Sequence, residues 1–282
     1  MFSTKSAGRQ APWSRRARSA LAAVALLGLL YSAAGPAQAA ASPARSGSPS
    51  ATRLGNDVSW PQCNRTLPKS PAFAVVGVNN GLANTTNPCL ATELAWAEKS
   101  AGGTGQPPVA LYVNTANPGL AGSWWPSSNN YGGATVANPY GTCEGAADAA
   151  CAYMYGYAKA YDDANSRGVS QPGSYLWWLD VETDNSWSTD MAANRADLEG
   201  MTSYFRSIGA DVGLYAPQSQ WTSIAGSVPA GSNLYALQSW LPGATSATGA
   251  KSKCSTGPLT GGGKVTLAQF VSGGTDYDYS CV

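Results

Sequence analysis

The sequence predicts an α/β fold: a single-domain, disulfide-stapled (β/α) barrel of the TIM type. Three observations predict it. Apolar runs suited to strands buried on both faces alternate with stretches of helical spacing. Seven or eight such runs fit within about 230 residues, a density that suits one closed barrel better than two domains. No run is followed by G-x-G-x-x-G or a phosphate-binding loop, so an open doubly wound sheet has no support.

The elements follow in chain order. Lys5, Arg9, Arg15, Arg16 and Arg18 precede an apolar run from Ala20 to Ala34, and Ala37-Gln38-Ala39 fits an A-x-A cleavage pattern. The run is shorter than the roughly 20 residues a membrane span needs, so residues 1–39 are expected to be a signal peptide cut after Ala39. Ser14-Arg15-Arg16 is a partial twin-arginine match. Residues 40–54, rich in Ser, Ala and Pro, read as a flexible leader, and residues 55–282 as the barrel domain. Asp57–Trp60 is expected as a short first strand, then Phe73–Val78, Val109–Val113, Tyr175–Val181, Val212–Tyr215, Leu234–Leu237 and Val265–Phe270. Helical spacing covers Cys89–Ser100, Ala146–Ser166 and Ala192–Ile208; Gly168 and Gly209 follow the last two as stop signals.

Composition narrows the chemistry. The 282 residues include 17 Lys plus Arg, 16 Asp plus Glu and no histidine. Without imidazole there is no Ser-His-Asp or Cys-His nucleophile and no histidine-bound metal or haem. Loss of residues 1–39 leaves 12 basic and 16 acidic residues, a net charge of −4, with no basic stripe for nucleic acid or anionic lipid. The six cysteines (Cys63, Cys89, Cys143, Cys151, Cys254 and Cys281) are an even set in a chain read as exported, which points to three disulfides. Fifteen pairings are possible; neighbour pairing, 63 with 89, 143 with 151 and 254 with 281, is expected because each loop is local. There is no C-x-x-C, and no metal or cofactor is expected. The protein is expected to act as a secreted monomer, without stable membrane insertion.

In a parallel barrel, chemistry collects at the C-terminal strand tips. The tips expected here carry Asp57, Asn79-Asn80-Gly81, Asn114, Asp180-Val181-Glu182, Tyr215, Gln238 with Trp240, and Gln269 with Asp276 and Asp278 beyond it. Any one of these could be a turn former or a cap; their meeting on one rim gives the set its weight. Asp180 and Glu182, two apart on a strand, point to the same face with Cα atoms roughly 6.5 Å apart. A carboxylate pair so placed suits glycosidic cleavage: the protonated acid serves the leaving oxygen, and the ionised one the charge growing at the anomeric carbon. Nine tryptophans lie beyond residue 39, and Trp60, Trp124, Trp125, Trp187, Trp221 and Trp240 are read as loop residues available to stack on sugar faces. Trp177 and Trp178 face opposite ways, so one of them is core.

With these residues in view, the chain resembles glycoside hydrolase family 25, the lysozyme-like muramidases. Gly55-Asn56-Asp57-Val58-Ser59-Trp60-Pro61-Gln62 is similar to its opening G-x-D-[VI]-S-x-x-Q, and Leu179-Asp180-Val181-Glu182 to its central L-D-x-E. Gly213-Leu214-Tyr215 resembles its G-[IV]-Y strand, and Leu267-Ala268-Gln269-Phe270 with Asp278 its closing W-Q-Y and terminal Asp. The resemblance implies a (β/α) barrel cutting the β-1,4 link after N-acetylmuramic acid in peptidoglycan, as in the glycoside hydrolase-like domains of exported bacterial proteins. It implies Glu182 as general acid and Asp180 as partner carboxylate that helps the substrate's acetamido group attack. Asp57 and Asp278 would line the site, and Asn80, Asn114, Tyr215, Trp240 and Gln269 are the further candidates for substrate binding. The pattern departs at Asn79-Asn80-Gly81, at Tyr112-Val113-Asn114, where the family has Tyr-His-[FY], and in the segment Asn117–Cys143, which the family pattern lacks. A glycan-binding barrel that does not cut is the alternative reading.

Overall fold

The computed structural model describes residues 53–282. The expected signal peptide, and all of the leader except Arg53 and Leu54, lie outside the described residues. The described part opens with strand β1 (Leu54–Val58) and continues with β2 (Ala74–Gly77), helix α1 (Leu90–Ala97) and β3 (Val109–Asn114). A two-stranded hairpin, β4 (Asn130–Tyr131) and β5 (Ala134–Thr135), precedes α2 (Ala149–Ser166) and β6 (Leu176–Asp180). Then come α3 (Met191–Ser207), β7 (Asp211–Tyr215), α4 (Gln218–Ile224), β8 (Gln238–Ala244), α5 (Ala247–Lys253), β9 (Val265–Ser272) and β10 (Thr275–Ser280).

Eight strands close into a barrel in the order β1-β10-β9-β8-β7-β6-β3-β2. The closed α/β barrel is as expected; the TIM-type description needs two corrections. β10 runs antiparallel to both β1 and β9, because the Gly273-Gly274 turn folds it straight back. Among the described residues, five α-helices rather than eight surround the strands. The expected strand Leu234–Leu237 is also corrected: those residues form a turn whose buried Leu234 and Leu237 pack on the core, and the strand begins at Gln238.

Alternation along the strands sorts the core into two layers. Phe73, Val75, Ala110, Leu176, Trp178, Trp240 and Leu267 cluster inside the barrel with Tyr112 and Tyr215. Val76, Leu111, Val113, Trp177, Leu179 and Leu214 face outward into the larger cluster shared with the helices. Trp177 stacks on Phe205 of α3 at 4.4 Å, while Trp178 fills the interior. The rings inside leave no room for ordinary side chains opposite them: a Cβ on Gly213 would meet the Trp178 ring, and one on Gly55 the Phe73 ring.

The helices start where carboxylate and hydroxyl caps permit. Asp148 accepts from Cys151 N at 2.9 Å to open α2, Asp190 from Ala192 N at 2.8 Å to open α3, and Ser246 from Gly249 N at 3.2 Å to open α5. The disulfides follow neighbour pairing. Cys63–Cys89 ties the loop after β1 to the start of α1, Cys143–Cys151 pins the 117–143 segment to α2, and Cys254–Cys281 joins the end of α5 to the chain after β10. No helix among the described residues is long and apolar enough to cross a membrane.

Candidate active site

The inward positions at the strand tips meet in one small hollow of about 110 Å³, lined by Asp57, Tyr112, Asp180, Glu182, Tyr215, Trp240 and Gln269. Asp180 shares the inward parity of Leu176 and Trp178, and Glu182, two further on, opens into the same space. The walls are aromatic. Tyr215 stands edge-on to Trp240 at 4.5 Å, and Trp240 meets Trp178 at 5.7 Å and Tyr112 at 6.4 Å. A larger hollow of about 390 Å³ between the tips of β7 and β8 is lined by no carboxylate.

Burial sets the proton affinities. Asp180 is nearly inaccessible; desolvation raises its pKa well above the usual carboxylate range, and the charge of Glu182 adds to the rise. The Asn114 amide, donating at 2.8 Å to one carboxylate oxygen, works against that rise. Glu182 is also raised, by burial first and then by the charge of Asp184. Across the hollow, Asp57 is pushed up to about 7 by desolvation and the nearby Asp276, while Gln269 donates to it at 2.9 Å and in turn accepts from the Tyr215 hydroxyl at 3.0 Å. Asp278 on β10 is fully buried behind Asp57, faces Gln269 across the β9–β10 ladder, and is raised by burial and then by Asp57. The site therefore holds two carboxyl pairs, Asp180 with Glu182 and Asp57 with Asp278, in which burial raises every member above the usual carboxylate range.

Asp180 is held from behind by a chain of amides. Asn79 accepts from the Asn114 backbone at 2.8 Å and donates to Asp163 of α2 at 2.9 Å, and Thr115 donates its hydroxyl to the Asp180 carbonyl at 2.7 Å. Trp187 holds the Glu182 carbonyl through its indole N–H at 2.7 Å.

Of the residues singled out from the sequence, Asp57, Asp180, Glu182, Tyr215, Trp240 and Gln269 come together in the lining. Asn114 and Asp278 stand behind it, each against one acid. Asn80 is exposed and outside the lining; its backbone N–H donates to Thr85 in the loop after β2. Three of the six tryptophans read as loop residues lie in regular elements instead: Trp60 opens a short 3-10 helix (Trp60–Gln62), and Trp221 in α4 and Trp240 in β8 are buried because their rings complete the core. Tyr112 and Asp184 were missed. Tyr112 continues a parity already in use, two before Asn114, whereas Asp184 lies in the turn beyond the end of β6, where strand parity does not reach. Among the described residues, Cys63, Cys89 and Glu93 alone group closely enough to suggest metal ligation, and the two sulfurs are joined in a disulfide.

With this geometry in place, comparison with known proteins is informative. A family model described as Lys-1, lysozyme-like protein 1, matches residues 157–252, which span α2 to α5 and include the Asp-x-Glu strand. Over that stretch the chain is similar to lysozyme-like proteins. "Probable GH family 25 lysozyme 4" of Dictyostelium discoideum is 46% identical over 55 residues, 20% of this chain and 25% of that protein. "Lysozyme-like protein 5" of Caenorhabditis elegans is 34% identical over 93 residues, 33% of this chain and 40% of that protein. The matched stretches thus span between a quarter and two-fifths of these curated relatives. The structure of a muramidase from Acremonium alcalophilum superposes with a TM-score of 0.50 at 17% identity, covering 80% of this chain and 92% of that one. That likeness shows a shared fold.

Proposed function

We propose that the barrel domain is a secreted glycoside hydrolase of the family 25 type that cleaves peptidoglycan as a muramidase, with Glu182 as general acid and Asp180 as partner carboxylate. The observation that carries the reading is the opening of both acids into one aromatic-walled hollow opposite Asp57. Burial raises Asp180 further than the less deeply buried Glu182, so Asp180 is the first of the two to take up a proton. A substrate acetamido N–H donating to Asp180 stabilises its ionised form and sends the proton to Glu182. Glu182 then gives that proton to the glycosidic oxygen. As the C1–O bond breaks, the acetamido carbonyl oxygen closes onto C1 from the opposite face. Water, giving its proton back to the Glu182 carboxylate, reopens that ring and leaves the anomeric configuration retained.

Tyr215, Trp240 and Tyr112 exclude water and give the sugar ring apolar faces, and Gln269 orients Asp57 toward the sugar hydroxyls. The sequence signal for export and the three disulfides favour an extracellular site of action, with cleavage after Ala39. The test is clearing of bacterial wall suspensions together with release of reducing ends. Glu182→Gln is expected to lower kcat by roughly three orders of magnitude with little change in melting temperature. Wall binding without release, unaltered by Glu182→Gln, would replace this reading with that of a glycan-binding barrel.

A further inference from the structure

The segment from 117 to 143, absent from the family pattern, builds something beside the catalytic hollow. Eight large hydrophobic side chains are well exposed among the described residues, and four of them rim one end of the barrel mouth: Trp60 (44%), Leu82 (53%), Leu120 (66%) and Trp124 (40%). They lie on the loops after β1, β2 and β3, three neighbouring strands. Of these four, Leu82 lines a hollow of about 180 Å³ set between Asn84, Ser123, Tyr155 and Asp184-Asn185, and Trp124 adjoins that hollow through its chain neighbour Ser123 and its stacking partner Tyr155. Asp184 and Asn185 belong to the strand-end loop that carries Glu182, and the charge of Asp184 is felt at Glu182 itself. This hollow therefore neighbours the catalytic one.

Trp124 is held as a fixed plate. It stacks on the buried Tyr155 at 6.0 Å with 28° between the planes and leans on Tyr131 at 5.5 Å. The Lys159 ammonium sits 5.1 Å from the indole centroid. Tyr131 is itself anchored to α2 through its hydroxyl on Asp162 at 2.8 Å, and the Cys143–Cys151 disulfide pins the end of the segment to the same helix. An exposed indole immobilised from beneath loses little entropy when a ligand covers it.

We propose that this hollow, together with the Trp124 plate beside it, forms a distal glycan subsite, in which Trp124 stacks on a sugar unit away from the bond being cut. Apolar rims with the amides of Asn84 and Asn185 and the Ser123 hydroxyl suit an N-acylated amino sugar, whose C–H face meets the indole while its hydroxyl and acetamido groups meet the polar side chains. Asp184 in the lining disfavours carboxylate-bearing units against neutral ones of the N-acetylglucosamine kind, and the Lys159 ammonium beside Trp124 is paired with Asp162 at 3.5 Å. The inference rests on the hydrolase reading for the direction in which the glycan lies.

The test uses the full disulfide-intact protein carrying Glu182→Gln, so that ligand is not consumed, titrated with the dimer and hexamer of N-acetylglucosamine by tryptophan fluorescence and calorimetry. The hexamer is expected to bind about tenfold more tightly than the dimer. Adding Trp124→Ala should bring the ratio of the two affinities toward one, and Trp124→Tyr, which keeps a plate, should restore most of it. A ratio unchanged by Trp124→Ala, or no binding of either oligomer, overturns the subsite. The hydrolase reading is judged separately, by reducing-end release from the native protein: oligomer binding dependent on Trp124 without any release would leave the subsite standing and remove the catalytic role.

Discussion

Asp163 offers a test of how far burial, rather than pairing, governs the acids around the site. It lies fully buried in α2, accepts from Asn79 at 2.9 Å and from Arg167 at 3.4 Å through one oxygen, and leaves the other without a partner. Desolvation outweighs both donors and raises its pKa from 3.8 to about 7. An acid raised in this way binds its proton more tightly folded than unfolded. Its stabilising contribution is complete below the unfolded value of 3.8 and is lost as pH rises through about 7. A shift of about three pH units corresponds to about 4 kcal/mol between those limits. Asn mimics the protonated acid, so Asp163→Asn should match the wild type near pH 4 and exceed it at pH 8. The gain approaches about 4 kcal/mol, or roughly 10 °C in Tm for a domain of this size. Urea unfolding of the disulfide-intact protein at pH 4.5, 6, 7 and 8 measures it. A variant less stable than wild type by the same amount at every pH would mean that the Arg167 pairing dominates, and the burial argument would be wrong for Asp163 and weakened for Asp180.

Three further outcomes follow from the same structure. Gly213→Ala places a methyl group against the Trp178 ring and should cost about 1–3 kcal/mol by overpacking, read from the denaturant midpoint. Asn114→Leu removes the donor that favours ionised Asp180; the acidic limb of the kcat/KM profile should then move to higher pH, and an unmoved limb would separate Asp180 from that titration. Removing the Cys143–Cys151 pair as a double Ser variant opens a short loop and should cost about 2–3 kcal/mol, whereas the longer Cys254–Cys281 loop should cost about 3–4 kcal/mol by the same chain-entropy argument, compared by thermal unfolding.

The barrel was legible where burial on both faces leaves an unbroken apolar run, as in Tyr175–Val181 and Phe73–Val78, because water and turn residues are excluded from such strands. Leu234–Leu237 misled for the same reason: two leucines plugging the core from a turn have the composition of a strand without its hydrogen bonds. β10 was hidden by its polar alternation, Thr-Asp-Tyr-Asp-Tyr-Ser, although the Gly-Gly pair before it is a hairpin signal. Helices α4 and α5, seven residues each, are too short for a 3.6-residue period to show. In the site, Asp57, Asp180, Glu182, Tyr215 and Gln269 could be read from strand ends, since strand parity alone decides which side chains look inward. Strand ends and the resemblance group Asp57 with Asp278, but the burial of Asp278 behind Asp57, outside the lining, could not be read, because it depends on β10 returning antiparallel beside β1 and on the register that sets Asp278 opposite Gly55.

That returning strand explains why a chain with no histidine can keep protons available near neutral pH. Here β10 carries Asp278 down into the wall, where it is sealed behind Trp240 and Asp57 and kept from ionising freely. β10 also places Asp276, whose charge adds to the desolvation that raises Asp57 to about 7, while Asp278 hydrogen-bonds Asp57 and works against that rise; Tyr112, Tyr215 and Trp240 keep water out of the same space. The bulk of those rings is accommodated by glycines on the same interior layer, as at Gly213 beneath Trp178. Proton storage, the aromatic walls and the small residues opposite them are thus one packing solution. Enlarging a glycine or exposing Asp278 to water is expected to disturb the titration of the acids before it disturbs their positions.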